Sequence, residues 1–139
     1  MFRRIMVPVD LAHLPRFDRV LSIAADLASH YGAAVTYVSA TTPAPGPIAH
    51  NPREFGAKLD AFAAGEADRH GIAAKSHAVI AHDPAADLDD VLVKAVAETG
   101  ADLVVMASHK PTLSDRLWPS NGGKVATHTA ASVMLVRDA

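Results

Sequence analysis

Leu103 to Met106 reads Leu-Val-Val-Met, a continuous apolar run too short for a helix and rich in β-branched residues. That is the pattern of a strand buried on both faces, and a strand without a polar face needs helices above and below it, as in a parallel sheet. The rest of the chain alternates accordingly. Arg3 to Asp10 forms a first strand, with Pro8 near its C-terminal end, where a missing N–H costs least. Phe17, Val20, Leu21, Ala24 and Ala28, with Leu27 beside them, fall at helix spacing over Phe17 to His30, and Tyr31-Gly32 closes that helix. Ala33 to Ala40 is a second strand. Thr41 to Pro52 carries Pro43, Pro45, Pro47 and Pro52 with Gly46, which dictates a loop, set at the carboxyl edge of the sheet.

Phe55, Leu59, Phe62 and Ala63 predict a second helix over Glu54 to His70, ended by Gly71, before a third strand from Ile72 to Ala81. Asp83 suits an N-cap and Pro84 the first helical position, opening a helix from Ala85 to Thr99. Its Leu88, Val91, Leu92, Ala95 and Val96 face inward, and Asp87, Asp89, Asp90 and Lys94 outward. Gly100 ends it, Ala101 to Met106 is the fourth strand, Gly123 to Thr129 a short helix, and Ser132 to Arg137 the last strand. This order predicts an α/β fold, a doubly wound sheet of five parallel strands with right-handed crossovers and helices on both faces, Rossmann-like.

A length of 139 residues, half of them hydrophobic, suits a single domain over residues 1–139. No apolar run approaches the roughly 20 residues of a membrane span, and the N-terminus leads straight into a strand, so a cytoplasmic protein without a membrane partner is expected. The absence of cysteine excludes disulfides and thiolate metal sites. Thirteen basic and fifteen acidic residues are mixed along the chain, net −2, which leaves no electrostatic footprint for nucleic acid.

After the fourth strand come small and polar residues, a lysine, and Ser120-Asn121-Gly122-Gly123 at the start of a helix. Unpaired backbone amides at a strand end and a helix N-terminus make an anion site, with phosphate the natural occupant. No Gly-x-Ser-x-Gly elbow and no Gly-x-x-x-x-Gly-Lys-Ser/Thr loop is present, so neither a serine hydrolase nor a P-loop enzyme is indicated, and no catalytic residue is assigned. The eight histidines show no paired ligand spacing and read as scattered surface groups. Asp87, Asp89 and Asp90 scatter around a helix as a solvated face, and no metal ligands are assigned. Trp118 reads as cover for a hydrophobic edge or a subunit contact.

Ala107-Ser108-His109-Lys110-Pro111 and Ser120-Asn121 resemble the C-terminal signature of the universal stress protein family, in a branch where the strand runs into Ala-Ser-His-Arg-Pro and a second cluster reads Gly-Ser-Asn. Val7-Pro8-Val9-Asp10 resembles the family's first strand. The resemblance implies a sheet order of 3-2-1-4-5 and an adenine nucleotide, ATP, ADP or AMP, with or without Mg²⁺, held in a stress-response or regulatory role. It places Pro8, Val9, Asp10 and Ala40 near the adenosine, and Met106, Ala107, Ser108, His109, Lys110, Ser120, Asn121 and Gly122 along the phosphate side. Ala40 falls where many relatives carry a valine against the base. The glycine of Gly-Ser-Asn falls on Pro119, which lacks an N–H and so withdraws one amide from the cradle. A nucleotide-free dimeric interaction module of the same fold is the alternative, and a weak ATP hydrolase ranks third. The fifth strand would be a sheet edge whose apolar Val133 to Val136 favours a homodimer.

Overall fold

A computed structural model describes residues 1–108 and 119–137, apart from the side chains of residues 85 and 119–121. The doubly apolar runs lie at the middle of the sheet, as their lack of a polar face requires. The strands are β1 (Arg4–Pro8), β2 (Ala34–Thr41), β3 (Ala74–Ile80), β4 (Leu103–Ser108) and β5 (Ser132–Arg137), all parallel, in the order β3-β2-β1-β4-β5. Every residue of β4 is buried. The helices are α1 (Asp18–Tyr31), α2 (Pro52–His70), α3 (Pro84–Thr99) and α4 (Pro119–His128), with a 3-10 helix, Leu11–Phe17, between β1 and α1.

Alternation along the strands makes two cores. On one face Ile5, Val7, Val35, Tyr37, Leu103 and Val105 meet Val20, Leu21 and Ala24 of α1 and Leu59 and Ala63 of α2. On the other, Met6, Val38, Val104 and Met106 meet Leu92, Ala95 and Val96 of α3 and Val125 of α4. Val93, and not the expected Val91, joins this second core from α3. Glycine ends α1 and α3 in the left-handed region, at φ 64° for Gly32 and 67° for Gly100, a conformation that costs other residues a clash of Cβ with the carbonyl.

Several boundaries differ from the expectation for local reasons. Leu11–Phe17 is a 3-10 helix, which has no 3.6-residue stripe to read and tolerates Pro15. Pro52 belongs to α2 as its first residue, because Asn51 caps the helix by accepting from Glu54 N at 2.8 Å. α4 likewise starts at Pro119 instead of Gly123. β3 begins at Ala74, β4 runs on to Ser108, and β5 spans Ser132–Arg137 as expected.

Candidate functional site

The central strands part company at their carboxyl ends. β1 and β4 are in register at Ile5 with Leu103 and Met6 with Val104, and neither strand is paired to the other beyond that point. Val9 N donates to Val38 O at 2.8 Å, toward β2. Alternation of the backbone therefore turns the nitrogen of Pro8 toward β4, beyond the last register pair of the two strands. A proline in a central strand is tolerated here because it sits where the sheet is already opening.

The crevice beside this opening has a volume of about 170 Å³ and is lined by Pro8, Val9 and Asp10 from the end of β1, Val38, Ser39 and Ala40 from β2, and Pro84, Leu88 and Leu92 from α3. Ser39 Oγ donates to Val9 O at 2.7 Å, a buried bond that ties the two strand ends together. The N-terminus of α3 faces the crevice through Pro84, and its partial positive charge is offset by Asp83, the N-cap, and by Asp87, whose Oδ2 accepts from Asp83 N at 3.0 Å. Asp10 is the one charged side chain in the lining. It caps the 3-10 helix, Oδ1 accepting from Ala12 N at 2.9 Å, while Oδ2 lies 2.8 Å from His13 Nδ1.

The expected site residues fall into three groups. Pro8, Val9, Asp10 and Ala40 come together in the crevice. Met106, Ala107 and Ser108 end β4 on the far side of the opening and are all buried, Met106 in the second core and Ala107 in the first, outside the crevice lining. Ser120, Asn121 and Gly122 occupy the first turn of α4. A Cβ on Gly122 would run into a methyl of Leu135, so this glycine serves close packing of α4 on β5. Pro119 opens that helix, where its missing N–H breaks no helical bond. His109, Lys110, Pro111 and Trp118 lie outside the described residues, as do the side chains of Ser120 and Asn121.

The proline-rich loop stands at the carboxyl edge but contributes nothing to the crevice lining. It is fastened on the α1 and α2 side, where Pro47 and Ile48 share a hollow with Leu11, Leu14 and Phe62, and Lys58 Nζ donates to Ile48 O.

Two histidines are not the surface groups expected. His70 Nε2 lies 2.9 Å from Oε2 of Glu66, whose side chain is only 6% exposed, and His77 Nε2 lies 3.7 Å from Glu98. Tyr37 is fully buried, edge-on to Phe62, and burial with the nearby Glu66 carboxylate raises its phenol well above the ordinary range. Glu66 continues the stripe of Leu59, Phe62 and Ala63, so its burial had a signal in the spacing. Asp89 is raised above the usual carboxylate range by partial burial, and Asp90 pairs with Lys124 at 3.4 Å. Among the described residues no three histidine, aspartate or glutamate side chains could share a metal ion, and no helix is long and apolar enough to cross a membrane.

The model of the universal stress protein family matches residues 1–137. No curated protein sequence matches significantly. Solved structures share the fold at low identity. A universal stress protein from Archaeoglobus fulgidus in complex with dAMP is 20% identical, with a TM-score of 0.65 over 96% of each chain. A universal stress protein in complex with cAMP is 20% identical, with a TM-score of 0.66 over 99% of this chain and 98% of that one. A family protein from Arabidopsis thaliana with AMP bound is 13% identical, with a TM-score of 0.62 over 99% of this chain and 92% of that one.

Proposed function

Because this chain belongs to the universal stress protein family, we propose that it binds an adenine nucleotide in the crevice at the end of β1. The base and ribose lie against Pro8, Val9, Asp10 and Ala40, and the phosphates reach across the opening toward the turn between β4 and α4. The reading assigns the phosphate side to Met106 to Lys110 and Ser120 to Gly122, with Lys110 supplying charge and the first-turn amides of α4 supplying donors. The observation that carries the reading is the crevice lined by the carboxyl ends of β1 and β2 and the N-terminal half of α3, beside the point where the register of β1 with β4 stops. The cAMP, dAMP and AMP complexes of similar structures support the identity of the ligand. A stress-response or regulatory role in the cytoplasm, and Mg²⁺ accompanying ATP, belong to the same reading. Calorimetric titration with adenosine, AMP and ATP, the last with and without Mg²⁺, tests it; a chain that takes none of them does not have this function.

The same reading includes a homodimer built on β5. This strand is an edge of the sheet, with Met134 39% and Leu135 42% exposed, and no proline or charge interrupts Val133 to Val136. Antiparallel pairing of two copies would satisfy both edges. Met134→Lys places a charge in that contact, and the mass by light scattering is expected to fall to that of one chain. A dimer that survives the substitution puts the interface elsewhere.

A further inference from the structure

A buried polar group is ordinarily held by a hydrogen bond, and the underside of α2 departs from that rule. Its inward face runs from Phe55 through Leu59 and Ala63 to Glu66, all buried, and Leu59 and Ala63 pack in the core that holds Val35 and Tyr37 of β2. Tyr37 Oη, Glu66 Oε2 and His70 Nε2 are buried without a hydrogen-bond partner among the described residues, so the 2.9 Å approach of His70 to Glu66 is a close contact that lacks hydrogen-bond geometry. The join between α2 and the sheet thus holds a desolvated carboxylate and a desolvated phenol, both of which water would serve better.

The helix is also weak along its length. Gly56 and Gly65 lie inside it, and a Cβ at either position would meet no atom within 4 Å, so neither glycine is there to let another element approach. Each lowers helix stability relative to alanine without any gain in packing. α1 and α3 contain no glycine, and α1 turns Val20, Leu21, Ala24, Ala25 and Ala28 inward with no charged residue among them. We propose that α2 is a cover that opens ahead of the rest of the fold and uncovers the Val35 and Tyr37 side of β2, with Glu66 and the two glycines setting how often it does so. The proline-rich loop moves with it, because Lys58 Nζ donates to Ile48 O and His50 Nδ1 lies 3.2 Å from Glu54 Oε2. The strands beneath stay paired, since the register of β2 with β3 runs from Val35–Ala74 to Thr41–Ile80 through backbone bonds that α2 does not supply. This inference holds whether or not the crevice takes a nucleotide.

Native-state hydrogen exchange on the full chain, under conditions where reclosing outpaces exchange, tests it. Interior amides of α2 are expected to exchange faster than those of α1 and α3 by about tenfold or more, as for a unit that opens below the global stability. Gly56→Ala and Gly65→Ala should each slow α2 by about two- to fivefold. Glu66→Met, which puts an apolar chain of similar length in place of the carboxylate, should slow it by about tenfold. The decisive variant lies outside the helix: Ile23→Val in α1 should speed exchange in α1 by about two- to tenfold and leave α2 at its wild-type rate. If α2 exchanges in step with α1 and α3 in the wild type, or follows α1 in Ile23→Val, the helix opens only with the whole fold and the proposal fails. Faster exchange of α2 in Glu66→Met would show that the carboxylate holds the cover down, and would overturn the role given to Glu66.

Discussion

The two ends of the sheet use aspartate in opposite ways. At the amino end Asp102 accepts from Arg3 N at 2.9 Å with Oδ2 and from Arg4 N at 3.1 Å with Oδ1, and Asp102 N donates to Arg4 O, so one residue staples the start of β1 to the start of β4. At the carboxyl end Asp10 satisfies a helix cap and a histidine on the same element, and the register of β1 with β4 stops at Met6 and Val104. The larger hollow, about 560 Å³, is at the amino end, between the last turns of α3 and α4 and walled by Val93, Val96, Ala97, Ala101, Ala130 and Ala131. Volume thus points one way and chemistry the other. The amino-end hollow gathers helix C-termini beside an aspartate already bound to backbone amides, whereas the smaller crevice gathers a strand end, a helix N-terminus and a carboxylate that caps the 3-10 helix.

The contrast breaks first at its strongest point. Asp102→Ala removes two charge-assisted bonds to backbone amides and should lower stability by about 2 kcal/mol in urea unfolding. Because the staple is at the far end, affinity for adenosine should be unchanged; a parallel fall in affinity would show that the two ends are coupled. Ser39→Ala removes the donor to Val9 O inside the crevice wall, with an expected cost of about 1 kcal/mol in stability. Here affinity should fall as well, since Val9 and Ser39 both line the crevice. The smallest effect is expected from Ala40→Val, where added methyl groups against the base should tighten adenosine by roughly two- to fivefold, worth up to about 1 kcal/mol of apolar burial. Unchanged affinity in that variant would remove Ala40 from the base contact.

The fold was legible because its signals are periodic and local. Apolar runs marked the strands, and glycines at Gly32, Gly71 and Gly100 marked three helix ends. What escaped were features whose signal is a single side chain. Asn51 before Pro52 reads as another loop residue until its carboxamide is seen to cap α2. Asp10 and His13, three residues apart, are an ordinary loop pair until a kinked 3-10 turn sets them side by side. Glu66 lies on the apolar stripe of α2, yet a glutamate there reads as solvated until the sheet beneath α2 shows it buried beside His70. Pro8, Val9, Asp10 and Ala40 could be grouped from the sequence because they lie at the ends of two adjacent strands. The end of β4 and the start of α4 are separated by ten residues, and spacing in sequence carries little of their geometry.

The short register between β1 and β4 also makes the sheet two ribbons, β3-β2-β1 and β4-β5, sewn together by a seam at Ile5–Leu103 and Met6–Val104 with the Asp102 staple at its closed end. Such a joint concentrates the backbone link between the ribbons at one end of the sheet, while α1 packs across both. Hydrogen-exchange protection within each ribbon is expected to outlast that along the short seam.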